Sequence, residues 1–132
     1  MIPVDDEYTQ PGAAVLRSRP VRAPERSEAG ITAEVIAWIK SLPCSYAWKL
    51  HSGAMGESGH PDIDGCIAGR AVKIEMKRPG RRPTPLQMQR LIKWRATGAI
   101  AGWATSLKEA QALVEKSLAE PGWRNPLTAP GA

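Results

Sequence analysis

The chain has 132 residues, 42% of them hydrophobic and 23% charged, which is enough for one globular domain with one core and marginal for two. No stretch approaches the roughly eighteen consecutive apolar residues of a membrane span, and the start MIPVDDEYTQPG lacks the basic-then-apolar order of a secretory signal, so a cytoplasmic location is expected, that of a bacterial host if the chain is viral. The formal charge of +5 is unevenly spread: residues 73–95 hold eight basic side chains (Lys73, Lys77, Arg78, Arg81, Arg82, Arg90, Lys93 and Arg95) against Glu75 alone, a local excess that attracts polyanions such as DNA.

Residues 1–27 are rich in Pro, Arg, Ala and Glu without a sustained period and read as a disordered basic arm. A first helix is expected over 31–42, with Ile31, Val35, Trp38, Ile39 and Leu42 on one stripe, Glu34 at its edge and Pro43 as its stop. In YAWKLH the alternation puts Tyr46, Trp48 and Leu50 on the apolar side of a strand and Ala47, Lys49 and His51 on the other. A Gly-Ser loop follows. GHPDIDGCIAGRAVKIEMKRPG then reads as a hairpin in which Ile63 and Ile67, and on the return Val72, Ile74 and Met76, share the apolar face. With Ala68-Gly69 as a two-residue turn, Asp62 stands across from Glu75; a four-residue turn would put Asp64 there instead. Asp64 is otherwise a surface partner for Lys73.

TPLQ opens the next helix at Thr84, with Pro85 at its first position and Gln87 completing a capping box, and Gly98 ends it. AIAGWAT is a short central strand, and SLKE is a second capping box that opens a last helix from Ser106 to Leu118. The tail from Glu120 is broken by Pro and Gly and reads as flexible. The order α-β-β-β-α-β-α makes an α/β fold, a mixed sheet flanked by helices, with the folded domain at 28–119. Trp38, Trp48, Trp94 and Trp103 lie on apolar stripes and are expected in the core. Cys44 and Cys66 are too few for a disulfide framework and read as buried, reduced thiols. With His51 and His60 they match no usual zinc-ligand spacing.

Two carboxylates on one face of adjacent strands cannot both stay ionised in a shielded place without positive charge nearby. Lys77, two residues after Glu75 and therefore on the same face, supplies some of it. A hard divalent cation, Mg²⁺ or Mn²⁺, would supply the rest, held by Asp62, Glu75 and the main-chain carbonyl of Met76.

Joined together, GHPDIDG, IEMK and TPLQ resemble the PD-(D/E)XK nuclease superfamily, in particular the virus-type replication-repair nuclease (VRR-NUC) domains, over about residues 28–118. The resemblance implies a restriction-endonuclease-like αβββαβ core and a metal-dependent DNA endonuclease that hydrolyses phosphodiesters through metal-activated water. Asp62 and Glu75 would be the metal ligands and Lys77 the catalytic lysine. Glu34 would be the first-helix acid, and Gln87 the glutamine aimed at the site from the next helix. A polar or basic residue before the Gly-rich loop would be Lys49, His51 or Ser52. Beside such a site, Arg78, Arg81 and Arg82 become a phosphate-contacting rim. The likeness extends to Holliday-junction resolvases, so branched DNA in replication, repair or recombination is an implied substrate. The alternatives are a restriction or mobile-element enzyme acting on duplex DNA, or a non-catalytic DNA-binding module. A homodimer is expected because resolving a junction needs two nicks, and Trp103 with Ala99 and Ala101 lies on a strand that could approach an exposed edge or face of a second copy.

Overall fold

The computed structural model describes residues 27–51 and 58–123. The arm expected at the N-terminus, most of the Gly-Ser loop with Ser52, and most of the tail lie outside the described residues.

The elements follow in the order α1 (Glu28–Ser41), β1 (Ser45–Lys49), β2 (Ile63–Ile67), β3 (Arg70–Met76), α2 (Pro85–Ala96), β4 (Ile100–Ala104) and α3 (Leu107–Leu118). The four strands form one sheet in the order β1-β2-β3-β4. Its first three strands are antiparallel, and β4 runs parallel to β3. The fold is the expected α/β arrangement, a mixed sheet flanked by helices.

Local chemistry accounts for the element ends. The Ser27 hydroxyl accepts from Gly30 N–H at 3.1 Å, so α1 begins three residues before its apolar stripe does. Thr84 and Gln87 form the full capping box of α2, each side chain accepting the other's main-chain N–H. At α3 the box is only half made. The Ser106 hydroxyl accepts from Glu109 N–H, but the Glu109 carboxylate turns to the N–H and hydroxyl of Thr105. The β2–β3 turn has positive φ at both central residues, 50° at Ala68 and 88° at Gly69, the handedness that matches the twist of a two-residue hairpin. It sets Ile67 opposite Arg70 and Ile63 opposite Ile74.

Ile31, Val35 and Ile39 of α1 pack on Ala47, Ile63, Ile67, Val72 and Ile74, and α3 adds Ala110 and Val114. Each large aliphatic side chain removed from water here contributes ~1.5–3 kcal/mol. α1 and α3 thus cover one face of the sheet. Among the described residues α2 alone covers the other, and it packs on β3 and β4.

Two expectations are corrected. On β1 it is Ala47 that is buried, whereas Tyr46 and Trp48 are 63% and 51% exposed. Strand alternation distinguishes two faces without saying which is inner. Here the inner one must be small, because Ala47 lies opposite Gly65, where an added Cβ would come within 2.9 Å of the Ala47 Cβ. Cys44 and Cys66 are both exposed, Cys66 because it alternates with Ile67 onto the bare face and Cys44 because it occupies the α1–β1 turn with φ 53°. Ala99 and Ala101 are buried and Trp103 is half-buried, and β4, which carries Ala101 and Trp103, is an edge strand of the sheet.

Candidate active site

The hairpin register carries two carboxylates to one place. One step beyond the Ile63–Ile74 pair, Asp62 and Glu75 stand across from each other, as the two-residue turn requires. The Asp62 main chain is held from one side, its carbonyl accepting from Leu50 N–H at 2.7 Å. Its carboxylate is held from the other, with Oδ2 accepting from Met76 N–H at 3.0 Å. The side chain thus continues the β2–β3 ladder where β2 itself has ended.

Glu75 is 2% exposed, an unusual burial for a carboxylate in a strand. Lys77 Nζ lies 3.4 Å from Glu75 Oε2, and its own N–H donates to Ala104 O, which locks the lysine's backbone to β4. Glu75 Oε1 is buried and has no hydrogen-bond partner. Burial pushes the Glu75 carboxyl up to about 8, the neighbouring Asp62 carboxylate pushes the same way, and Lys77 opposes them. At neutral pH the pair therefore holds a proton that a nearby cation would displace.

These features suit a divalent cation. A buried oxygen with no partner, beside a second carboxylate, is a pair of hard ligands, though no third His, Cys, Asp or Glu side chain joins them among the described residues. Asp62, Glu75, Met76 and Lys77 are brought together. Asp64 goes elsewhere, bonded to Lys73 Nζ at 2.5 Å, and Lys73 in turn lies 4.0 Å from the centre of the Trp94 ring.

The other residues singled out in the sequence are arranged around this core. Arg78, Arg81 and Arg82 are exposed in the loop that leaves Lys77, with Arg81 N–H turned back onto Arg78 O. Lys49 ends β1 and His51 follows it, both exposed; Ser52 is outside the described residues. Glu34 is half-buried on α1. Gln87 is half-buried at the start of α2, and its side-chain oxygen is taken by Thr84 N–H, which leaves its NH₂ group for other contacts.

No family model matches the sequence, and neither does any curated protein. Solved structures do match. One described as a VRR_NUC domain protein superposes with a TM-score of 0.59 at 19% identity, covering 73% of this chain and 91% of its own. Another, described as a VRR_NUC domain, gives 0.57 at 24% identity, covering 67% and 94%. The chain has the VRR-NUC fold. Its restriction-endonuclease-like core accounts for the order of strands and for the antiparallel hairpin on which Asp62 and Glu75 meet. Similarity at this level carries the fold, and the chemistry rests on the side chains described above.

What periodicity missed was the bare half of the sheet with Tyr46 and Trp48. The pairing of Ala47 with Gly65 was the available signal, because two small residues facing each other mark the side where a helix comes close.

Proposed function

We propose that this VRR-NUC domain is a metal-dependent DNA nuclease of the PD-(D/E)XK type. The observation that carries the reading is the buried Glu75 carboxylate, with one oxygen unpartnered and the other facing Lys77, beside the anchored Asp62. A purely structural ion pair gains nothing from an orphaned oxygen, since an unmade hydrogen bond in a buried place costs about 1–3 kcal/mol.

In this reading Asp62, Glu75 and the Met76 carbonyl hold one Mg²⁺ or Mn²⁺, which supplies positive charge to the phosphate and acidifies water when bound. The chain's own groups do the rest. Asp62 is kept in place by Met76 N–H, so ligand geometry is set before substrate arrives. Glu75 gives up its proton as the site fills. Lys77, with 18% of its side chain exposed, orients the attacking water and balances charge growing on the phosphoryl oxygens. Arg78, Arg81 and Arg82 draw the sugar-phosphate backbone toward the site end of β3. Glu34 and Gln87 are proposed as supporting residues. A role for Gln87 falls to its NH₂ group, because its oxygen serves the helix cap.

The finer substrate is proposed to be branched DNA, cut by a two-fold pair of chains. The test is to challenge the purified protein with four-way junctions, flaps, duplex and single strands, each with Mg²⁺, Mn²⁺ or chelator, while sedimentation reports its oligomeric state. Metal-dependent cleavage that disappears in Glu75→Ala supports the nuclease. Binding without cleavage on every substrate and metal overturns it.

A further inference from the structure

The sheet face that carries Asp62 and Glu75 is roofed by α2 over β3 and β4 and bare over β1 and β2 among the described residues. Tyr46 and Trp48 stand on that bare half, 63% and 51% exposed. The register aligns them with the site. Tyr46 pairs with Cys66 and Trp48 with Asp64, and Leu50, two residues on, bonds to the main chain of Asp62. Tyr46 and Trp48 therefore stand roughly 7 Å apart in a row along β1 that leads to Leu50 and, on the neighbouring chain segment, to Asp62.

The opposite bank of this strip is basic. Between α2 and the segment before β2 lies a hollow of about 320 Å³, lined by His60, Arg90, Lys93, Trp94 and Thr97. Lys40 reaches Tyr46 from the near side, with Nζ 5.2 Å from the ring centre. The acid in the strip, Asp64, is already neutralised by Lys73. A surface with two flat aromatic faces, cationic margins and a carboxylate site at its end fits a chain of nucleobases joined by phosphates. A hydrophobic protein partner would not need the cations.

We propose that this half-sheet binds an unpaired nucleic-acid strand, with bases stacked on Tyr46 and Trp48 and the phosphates led to Asp62 and Glu75. The strand is the substrate arm of the nuclease site, and in that respect the inference rests on the function proposed above. A duplex offers its bases no such contact, because they are already stacked on one another. Specificity for flaps, gaps or junction arms would then come from β1.

The test measures binding of a fluorescein-labelled single strand, a flap and a blunt duplex in chelator, where no cleavage interferes. Trp48→Ala and Tyr46→Ala should each weaken single-strand and flap binding by roughly tenfold and leave duplex binding within about twofold. Trp48→Phe should restore most of the loss, and the wild-type fluorescence assigned to Trp48 by difference from Trp48→Phe should be quenched by the strand. Equal losses on duplex and single strand, or none, overturn the proposal. So does sedimentation showing that the wild type is a dimer which Trp48→Ala dissociates, since a second copy would then occupy the face. Cleavage by the wild type in Mg²⁺ is scored separately. Failure of the nuclease reading shows as no cleavage with strand binding intact, whereas failure of the stacking surface shows as cleavage indifferent to Trp48.

Discussion

Strand β3 buries an ionisable side chain near each end, and the two are treated in opposite ways. At its start, Arg70 is 9% exposed and fully engaged: Nε donates to Gly98 O at 2.7 Å, one terminal nitrogen to Ser117 O and the other to Glu120, both at 2.5 Å. The Trp123 ring covers its guanidinium at 4.8 Å. Arg70 thereby ties the ends of α2 and α3 to the hairpin. At the far end, Glu75 is more deeply buried and less well served, with an orphaned oxygen and a carboxyl pushed up to about 8. A buried charge with complete partners is a structural clamp. One left incomplete stores an unmet demand for positive charge, which is what a metal site needs before its metal arrives.

The sharpest way to break this contrast is to remove each ionisable group in turn. Glu75→Gln should lower cleavage by at least roughly a hundredfold, and Lys77→Ala by a similar factor, with the thermal transition preserved or raised in Glu75→Gln. Calorimetry should find metal affinity lost in Glu75→Gln and kept in Lys77→Ala. Full activity in either variant would remove the site assignment. Arg70→Met should do the reverse. It leaves two carbonyls and Glu120 without their donor and should cost about 3 kcal/mol in denaturant unfolding, with cleavage per folded molecule unchanged at low temperature.

Proton linkage gives a second, intermediate effect. Glu75 has its ordinary value of 4.5 when unfolded and about 8 when folded, so folding takes up a proton between those values. Wild-type stability relative to Glu75→Gln should therefore fall as pH rises from about 4.5 to about 8 and level off above that. Mg²⁺ or Mn²⁺ binding near neutral pH should release close to one proton, read from calorimetry in buffers of different ionisation enthalpy, and affinity should climb with pH until about 8. A binding enthalpy independent of the buffer would show that Glu75 is already ionised.

The smallest effect is expected at the turn that fixes the hairpin register. Ala68 sits at φ 50°, which costs an L-residue with a Cβ roughly 1–2 kcal/mol. Glycine relieves this but adds freedom to the unfolded chain, so Ala68→Gly should raise stability by at most about 1 kcal/mol. Cleavage should not change, because the register is kept. A loss of cleavage would mean that the turn controls the Asp62–Glu75 meeting more tightly than its hydrogen bonds suggest.

Much of this molecule was legible in its residues because the decisive signals were local. Capping residues, a proline at Pro85 and period-2 alternation act within a few positions, so the element order and the caps at Thr84 and Ser106 could be read directly. The pairing of Asp62 with Glu75 followed from turn length once the two-residue turn was chosen, and sequence alone did not choose it. The fate of each buried or exposed group depended on contacts distant in the chain. That Ala47 rather than Trp48 faces inward was decided by Gly65 and the closeness of α1. That Arg70 is a clamp was decided by carbonyls at Gly98 and Ser117. That Glu75 is left with an unpartnered oxygen was decided by α2 packed over the sheet and by β4 beside a strand whose sequence reads as an ordinary alternating one. Alternation distinguishes the two sides of a strand, but which side is shielded is a property of the layers packed on it, and burial is what turns a charged residue into either a clamp or a site.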